Sequence, residues 1–463
     1  MGSIIPALPS SYRDPSGFVF EREGILYRQV NLRFKTQFDH FIRSGCYDAL
    51  VKEGLLIPHQ EIDQDLSGNG NWYKTLRPER VPFISYPYEW SFDMLKNAAL
   101  LTLRVLNIAM EHGMILKDAT PYNIQWYKGR LIFIDTLSFE IYEEKPWIAY
   151  RQFCEQFLSP LLLMHYSKTA LPSLSLAWME GVPLQVASRL LPFRSRFSLH
   201  TFLHIHLHAK MSRSKAGHAK QTAAFSRQKM QNLLTSLSLL VTKLRNPVQP
   251  STWQHYYAEA GTRSTYLDTK KEMIKEWVKQ LKEVRTAADL GANDGVFSRI
   301  VAEAGIDTLA ADGDPYCINA LYLDLKRTRN NQVQPLIMDL DNPSPATGFN
   351  NKERDSFLQR LNPDLIVALA VIHHLAIGKN IPMEQLALFF SSANKYLLIE
   401  FVPKEDSKVQ LLLQHKPDIY DQYAIGNFIQ VFGHYFSIIK QEMIGESGRT
   451  LFLLEKKHPA FQS

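Results

Sequence analysis

Ala288-Asp289-Leu290-Gly291-Ala292-Asn293-Asp294-Gly295-Val296-Phe297-Ser298 decides how this chain is read. The apolar run Thr286–Leu290 meets two glycines and then a helical pattern. That is the strand-turn-helix corner where an open α/β sheet binds ligands, outside the carboxyl ends of its strands. Glycine at 291 and 295 lets the backbone bend and approach a ligand with no Cβ in the way. A dinucleotide fingerprint needs a third glycine where Asn293 stands, so that ligand is disfavoured. Asp289 and Asp294 flank the loop, and two carboxylates suit a cationic, amino-bearing ligand better than a pyrophosphate.

Outward from this corner the pattern repeats. Thr308–Ala311, Gln334–Met338, Asp364–Leu369 and Tyr396–Phe401 are short apolar runs separated by stretches of helical length, the signature of successive βα units. Tyr435–Ile444 and Thr450–Leu454, with Gly445 and Gly448 between them, read as an antiparallel pair. Ser264–Leu281 reads as an amphipathic entry helix. The expected fold class is α/β, a Rossmann-like sheet of five parallel strands closed by a terminal hairpin. Asp312 ends the second strand, 23 residues after Asp289, where an acid accepts from both hydroxyls of a ribose. Asp339 ends the third strand, placed to accept from an exocyclic adenine amine.

On these motifs the segment resembles the class I S-adenosylmethionine-dependent methyltransferases. Longer phrases narrow the likeness: Pro335-Leu336-Ile337-Met338-Asp339-Leu340-Asp341-Asn342-Pro343, Leu369-Ala370-Val371-Ile372-His373-His374-Leu375 and Glu400-Phe401-Val402-Pro403-Lys404 resemble the NoeA-type nodulation (host-specificity) proteins over residues 250–455. The resemblance implies S-adenosylmethionine as cofactor. Asp289, Gly291 and Gly295 would hold its methionine end, Asp312 its ribose, and Asp339 with Leu340 its adenine, with Asn293 and Ala370 as further cofactor-binding candidates. The acceptor is a small molecule, a glycan or a macromolecule. The Asn/Asp-Pro-Pro-Tyr-like motif of nucleobase amino methylation is missing after the fourth strand, which disfavours that acceptor. His373 and His374 stand there instead, candidates for a general base near neutral pH. Glu400, an acid inside an apolar strand, is expected at the pocket mouth with Lys404 and Asp406 above it.

Residues 1–165 read as a separate α+β unit. Gly24–Val30 is strand-like, Phe92–Glu111 is a long helix, and Ile124–Tyr127 with Arg130–Ile134 flank a two-residue turn at Lys128-Gly129. Asp118 and Asn123 have the spacing of a kinase catalytic loop, and Asp135 follows on a strand end. The unit therefore resembles a degenerate kinase: Leu116 replaces the loop histidine, Thr136-Leu137 replaces Phe-Gly, and no glycine-rich loop precedes Arg28, the stand-in for the nucleotide lysine. Phosphotransfer by this unit, or a non-catalytic role in binding S-adenosylmethionine or a polyanion, are the alternatives to methyl transfer.

Composition sets the outer limits. The 463 residues exceed one ordinary domain, and 45% apolar with 21% charged residues excludes a mainly disordered chain. No 18-residue apolar stretch reads as a membrane span, and the first residues lack the basic flank and apolar core of a secretory signal. Cys46, Cys154 and Cys317 lie far apart with no metal-ligand spacing, which points to a reducing, cytoplasmic compartment. Charge is uneven. From 181 to 258 there are 11 Lys and Arg and no Asp or Glu; subtracting those 11 from the net +6 leaves −5 elsewhere. Arg189, Arg194, Arg196, Lys210, Arg213, Lys215, Lys220, Arg227 and Lys229 carry most of this charge, with His200, His204, His206, His208, His218 and His255 as further sources below neutrality. The segment 166–250 is thus expected to be a basic helical connector that meets an RNA, an anionic lipid surface or a phosphorylated glycan, or docks on the acidic remainder. Asn246-Pro247 and Pro250-Ser251 mark the expected boundary before the last domain, 251–463.

Overall fold

The structure, a computed structural model, describes residues 5–214, 225–246, 264–414 and 416–457. The chain divides into two compact units, Met1–Gln249 with Ala346–Asp355, and Pro250–Pro345 with Ser356–Ser463. The described part of the basic connector clusters with the first unit instead of forming a body of its own. The expected boundary at 247–251 lies outside the described residues, as do Lys215, Lys220, His218 and His255.

In the first unit, β1 (Gly17–Arg22), β2 (Ile25–Asn31), β3 (His59–Ile62) and β4 (Trp72–Pro78) form an antiparallel sheet in the order β1-β2-β4-β3. The helix Phe92–Glu111 follows. It holds no glycine or proline, and Leu95, Ala99, Leu103, Leu106 and Met110 recur at helical spacing to bury one stripe. Then come β5 (Met114–Leu116), the hairpin of β6 (Ile124–Tyr127) and β7 (Arg130–Phe133), and β8 (Phe139–Ile141), which pairs with β5. Lys128 and Gly129 both have left-handed backbone (φ 48° and 76°), as a type I′ turn requires. The long helix, the loop and the hairpin thus follow one another in the order expected from the sequence. The excursion Ala346–Asp355 belongs to the same unit: the Arg354 guanidinium lies 3.9 Å over the Tyr122 ring, and Glu353 accepts from Tyr12 Oη at 2.7 Å.

The basic segment is helical. Arg227–Lys243 buries Met230, Leu234, Leu237 and Val241. The histidines upstream serve packing. His204 bridges Tyr150 Oη (2.7 Å) and Ser236 Oγ (2.8 Å), and His206 bridges Ser188 Oγ (2.9 Å) and Ser195 Oγ (2.8 Å). Burial holds His204 down to about 4 and lowers His206 and His208. The expectation that these three add charge just below neutrality is therefore corrected: their imidazoles are desolvated and resist a proton.

The second unit carries β9 (Thr286–Leu290), β10 (Asp307–Asp312), β11 (Val333–Ile337), β12 (Leu365–Ala368), β13 (Tyr396–Phe401), β14 (Phe436–Met443) and β15 (Thr450–Lys456). Their order is β11-β10-β9-β12-β13-β15-β14. The first five are mutually parallel, and β15 runs antiparallel between β13 and β14. This is the class I methyltransferase topology. Strand β12 reads as an unbroken apolar run because both sheet faces are covered. The entry helix Ser264–Gln280 contributes Ile274 and Trp277 to a core shared with Val301, Leu365, Leu398 and Leu453. Among the described residues, no helix is long and apolar enough to cross a membrane.

Candidate functional site

The reversal of strand order between β9 and β12 opens a crevice at the carboxyl ends of the central strands. A cavity of about 720 Å³ occupies it, lined by the loops after β9, β10, β11 and β12. Gly291, Asn293, Asp312, Asp339, Leu340, Ala370 and His374 line this cavity, which brings together seven of the expected site residues.

The loop after β9 is tied to β10 by its backbone: the Gly291 and Ala292 amides donate to the Ala311 carbonyl at 2.8 and 3.0 Å. Asn293 adopts left-handed backbone, and its N–H donates to Asp312 Oδ2 at 2.8 Å. The Asp314 N–H donates to Asp312 Oδ1 at 2.8 Å. These two bonds fill two of the roughly four acceptor positions of a carboxylate and fix its plane at the cavity wall. Burial pushes the Asp312 carboxyl up, against the two N–H bonds that favour its anion. Asp314 caps the helix Pro315–Thr328 by accepting from the Tyr316 N–H at 2.8 Å. Across the crevice Ala370 has a φ of +53°, a left-handed turn that a side-chain-bearing residue adopts at some strain next to the cavity.

Two expected cofactor residues stand behind the cavity. Asp289 is buried in β9, accepts from Ser298 Oγ at 2.6 Å, and is raised to about 7 by burial. Gly295 begins the helix Val296–Glu303 with φ 78°, where a Cβ would press on the Leu321 side chain at 2.7 Å. Both shape the loop and neither lines the cavity.

The acceptor-side expectations need correction. Glu400 is fully buried and pairs with Lys270 and Arg449 while Tyr266 Oη donates to it at 2.6 Å. Burial opposes its charge, but Lys270 and Arg449 override that and hold the carboxyl at about 2. Glu400 does not line the cavity; it anchors the entry helix and the last hairpin to β13. Asp406 caps the helix Ser407–Leu413 and accepts from Arg449 Nε at 2.8 Å, and Lys404 pairs with Asp418 at 2.8 Å. His373 is also fully buried, with neither ring nitrogen hydrogen-bonded, and its proton affinity is lowered well below normal by burial and by His374. His374 alone of the three candidates lines the cavity, lowered to about 4 by burial, Arg449 and Lys408. An imidazole held neutral at physiological pH can accept a proton.

Met338, Tyr316, Leu375, Lys379 and Leu412 also line the cavity and were not foreseen. Lys379 pairs with Asp341 at 2.8 Å at its rim. Asp341 stands in the quoted motif, but its partner lies across two chain segments that only the fold brings together.

In the first unit, Asp118, Asn123 and Asp135 do converge. The Asn123 amide donates to Asp118 Oδ2 at 3.4 Å and to Ser138 Oγ at 3.1 Å, and that hydroxyl donates to Asp135. Asp118 also accepts from Gln152 Nε2 at 2.6 Å. The Arg28 guanidinium pairs directly with Asp135. Among the described residues there is no cluster of three His, Cys, Asp or Glu side chains arranged to hold a metal.

The chain is 34% identical over 457 residues to nodulation protein NoeA of Rhizobium meliloti (strain 1021), across 96% of this chain and 95% of that protein. The likeness thus runs through both units and not only the expected 250–455. Among solved structures it is similar to magnesium protoporphyrin IX methyltransferase (ChlM) from Synechocystis PCC 6803 with bound SAH, at 15% identity, TM-score 0.30, covering 42% of this chain and 88% of that one. It is likewise similar to a SAM-dependent methyltransferase from Aquifex aeolicus (14%, TM-score 0.29, 45% and 100%). A third is the bifunctional kinase-methyltransferase WbdD (15%, TM-score 0.30, 47% and 45%). No family model matches. The fold assignment rests on the strand order itself.

Proposed function

Because the chain belongs to the NoeA family of nodulation proteins, we propose that family membership and cavity chemistry meet in one activity: methyl transfer from S-adenosylmethionine to a small-molecule, glycan or macromolecular acceptor. The observation that carries this reading is the Asp312 carboxylate, fixed by two backbone N–H groups at a strand end beside a glycine loop.

When bound, the cofactor supplies a methyl group already activated by its sulfonium. The chain then has mainly to bind, orient and exclude water. Asp312 accepts from the ribose hydroxyls, Asp339 from the adenine amine, and Leu340 packs on the base. Gly291 and Asn293 present backbone to the methionine end. His374 takes a proton from the acceptor where the nucleophile is a hydroxyl. Cys46, Cys154 and Cys317 are buried and none is in a disulfide, which supports a reducing, cytoplasmic setting.

Calorimetry with S-adenosylhomocysteine tests the reading. Asp312→Ala removes a charge-assisted pair of hydrogen bonds, about 2–3 kcal/mol, and weakens binding about 30- to 150-fold. Unchanged affinity in a folded variant overturns the assignment. Mass spectrometry of ligand copurified with the full chain separates it from the rivals: a sulfonium or its homocysteine product for methyl transfer, ATP for phosphotransfer.

A further inference from the structure

The stretch 189–211 of the first unit departs from an ordinary protein surface. Phe193, Phe197 and Leu199 are 69%, 80% and 65% exposed within seven residues, and Leu190 and Met211 are exposed nearby. Arg189, Arg194, Arg196 and Lys210 stand exposed among them. No Asp or Glu occurs in the sequence from 181 to 258, so no neighbour along the chain neutralises them. Large apolar side chains gathered in water mark an interaction site.

The platform is held from behind. Buried Ser195 sits between exposed Arg194 and Arg196, and its hydroxyl bonds His206 Nε2 at 2.8 Å. The other ring nitrogen, Nδ1, bonds Ser188 Oγ at 2.9 Å, next to exposed Arg189 and Leu190. One imidazole thus fastens two turns whose flanking side chains stay in solvent. The rings form their own cluster: Phe193 meets Phe197 edge to face at 5.5 Å, and the Arg196 guanidinium lies 5.6 Å over Phe193.

We propose that this face docks the protein on an anionic lipid bilayer, with the phenylalanines and leucines entering the headgroup boundary and the arginines and Lys210 meeting lipid phosphates. The charge is complementary, and bulky apolar side chains mixed with cations suit an interface of acyl chains under phosphate. Single-stranded RNA fits less well. It needs open aromatic faces for its bases, whereas Phe193 is already engaged by Phe197 and Arg196, and Leu190, Leu199 and Met211 offer no stacking surface.

The test is sedimentation of the full chain with vesicles of pure phosphatidylcholine and with vesicles holding about one-third phosphatidylglycerol. The chain is expected to follow only the anionic vesicles, more weakly as salt rises. Arg194→Gln with Arg196→Gln should lower that partitioning about 25-fold, at roughly 5-fold per cation. Phe193→Ser with Phe197→Ser should lower it at every salt concentration. Arg194 also donates to the Tyr166 carbonyl at 3.0 Å, so partitioning is compared among variants whose melting temperatures show them folded. Equal partitioning to both vesicle types, no partitioning to either, or no effect of both double variants overturns the proposal. So does a single-stranded oligoribonucleotide that binds while anionic vesicles do not.

Discussion

Lys270 donates to Glu400 in the interior of the second unit, where both side chains are essentially without solvent contact. Arg449 and Tyr266 complete the set around the same carboxylate. The pair spans the entry helix and β13, so its loss is a loss of structure. Glu400→Gln leaves two buried cations under-compensated and is expected to cost about 3–5 kcal/mol in denaturant unfolding. Glu400→Leu with Lys270→Met should cost less than that single change. A catalytic Glu400 would give the opposite result, a stable protein without activity. Its folded carboxyl lies near 2 against an ordinary 4.5, so the stabilisation is present above about 4.5 and drains away between there and 2.

Stability should begin to fall at milder acid than that. His59, His204 and His374 are each lowered by burial from 6.5 to about 4. Between those values the unfolded chain binds protons that the folded chain refuses, so stability rises with pH across the window and is lost as pH falls from 6.5 toward 4. Urea midpoints measured through this range should decline steadily. His204→Gln, which keeps polar contact with Tyr150 or Ser236, should flatten part of that decline. A flat profile down to pH 4.5 contradicts the buried, neutral histidines.

Much of the second unit was legible because its central strands are buried on both faces and so appear as short, mostly apolar runs. β9 and β13 match their expected limits residue for residue, and the other three parallel strands differ by one residue at each end. Asp312 was legible because a strand-end acid after a glycine loop is a local pattern. Glu400 was misread for the opposite reason. Its partners Lys270 and Arg449 are 130 and 49 residues away, and nothing in an apolar strand shows that two distant cations will cover its charge. His373 and His374 are adjacent and chemically alike; only the start of a helix decides that one faces the core and the other the cavity. The basic segment gave its charge to inspection but not its histidines' role, which depends on Ser188, Ser195 and Ser236.

Arg28 pairs with Asp135 where a kinase-like scaffold would direct a metal ligand at a nucleotide. With a guanidinium on that carboxylate, the expected result is no magnesium-dependent ATP hydrolysis. Burial opposes the Asp135 charge and Arg28 restores it, leaving the carboxyl below its usual range. Asp135→Asn should therefore destabilise by about 1–3 kcal/mol, since Arg28 is left without its ion. Asp118→Asn combined with Asp135→Asn should leave S-adenosylhomocysteine affinity within a few-fold. Magnesium-dependent phosphate release that disappears in Asp135→Asn would reinstate phosphotransfer.

Gly291 allows the glycine requirement to be divided into its two causes. Its φ of +88° is left-handed, and a Cβ built there would lie 2.2 Å from Val371 Cγ2. Gly305 has nearly the same φ, +86°, but nothing within 4 Å of its Cβ position. Gly305→Ala should therefore show the backbone cost alone, about 1–2 kcal/mol in unfolding free energy, with ligand affinity unchanged. Gly291→Ala should cost more, because Val371 packs at the end of the loop after β12 and has to move, and it should also weaken S-adenosylhomocysteine binding, because Gly291 and Val371 both line the cavity. Adding Val371→Ala to Gly291→Ala removes the colliding methyl and should recover stability toward the Gly305→Ala level, apart from the methyl groups lost from Val371 itself. If the two single glycine variants lose equal stability and neither changes affinity, then the close approach of the two loops does not shape the cavity, and Gly291 is required only by its turn.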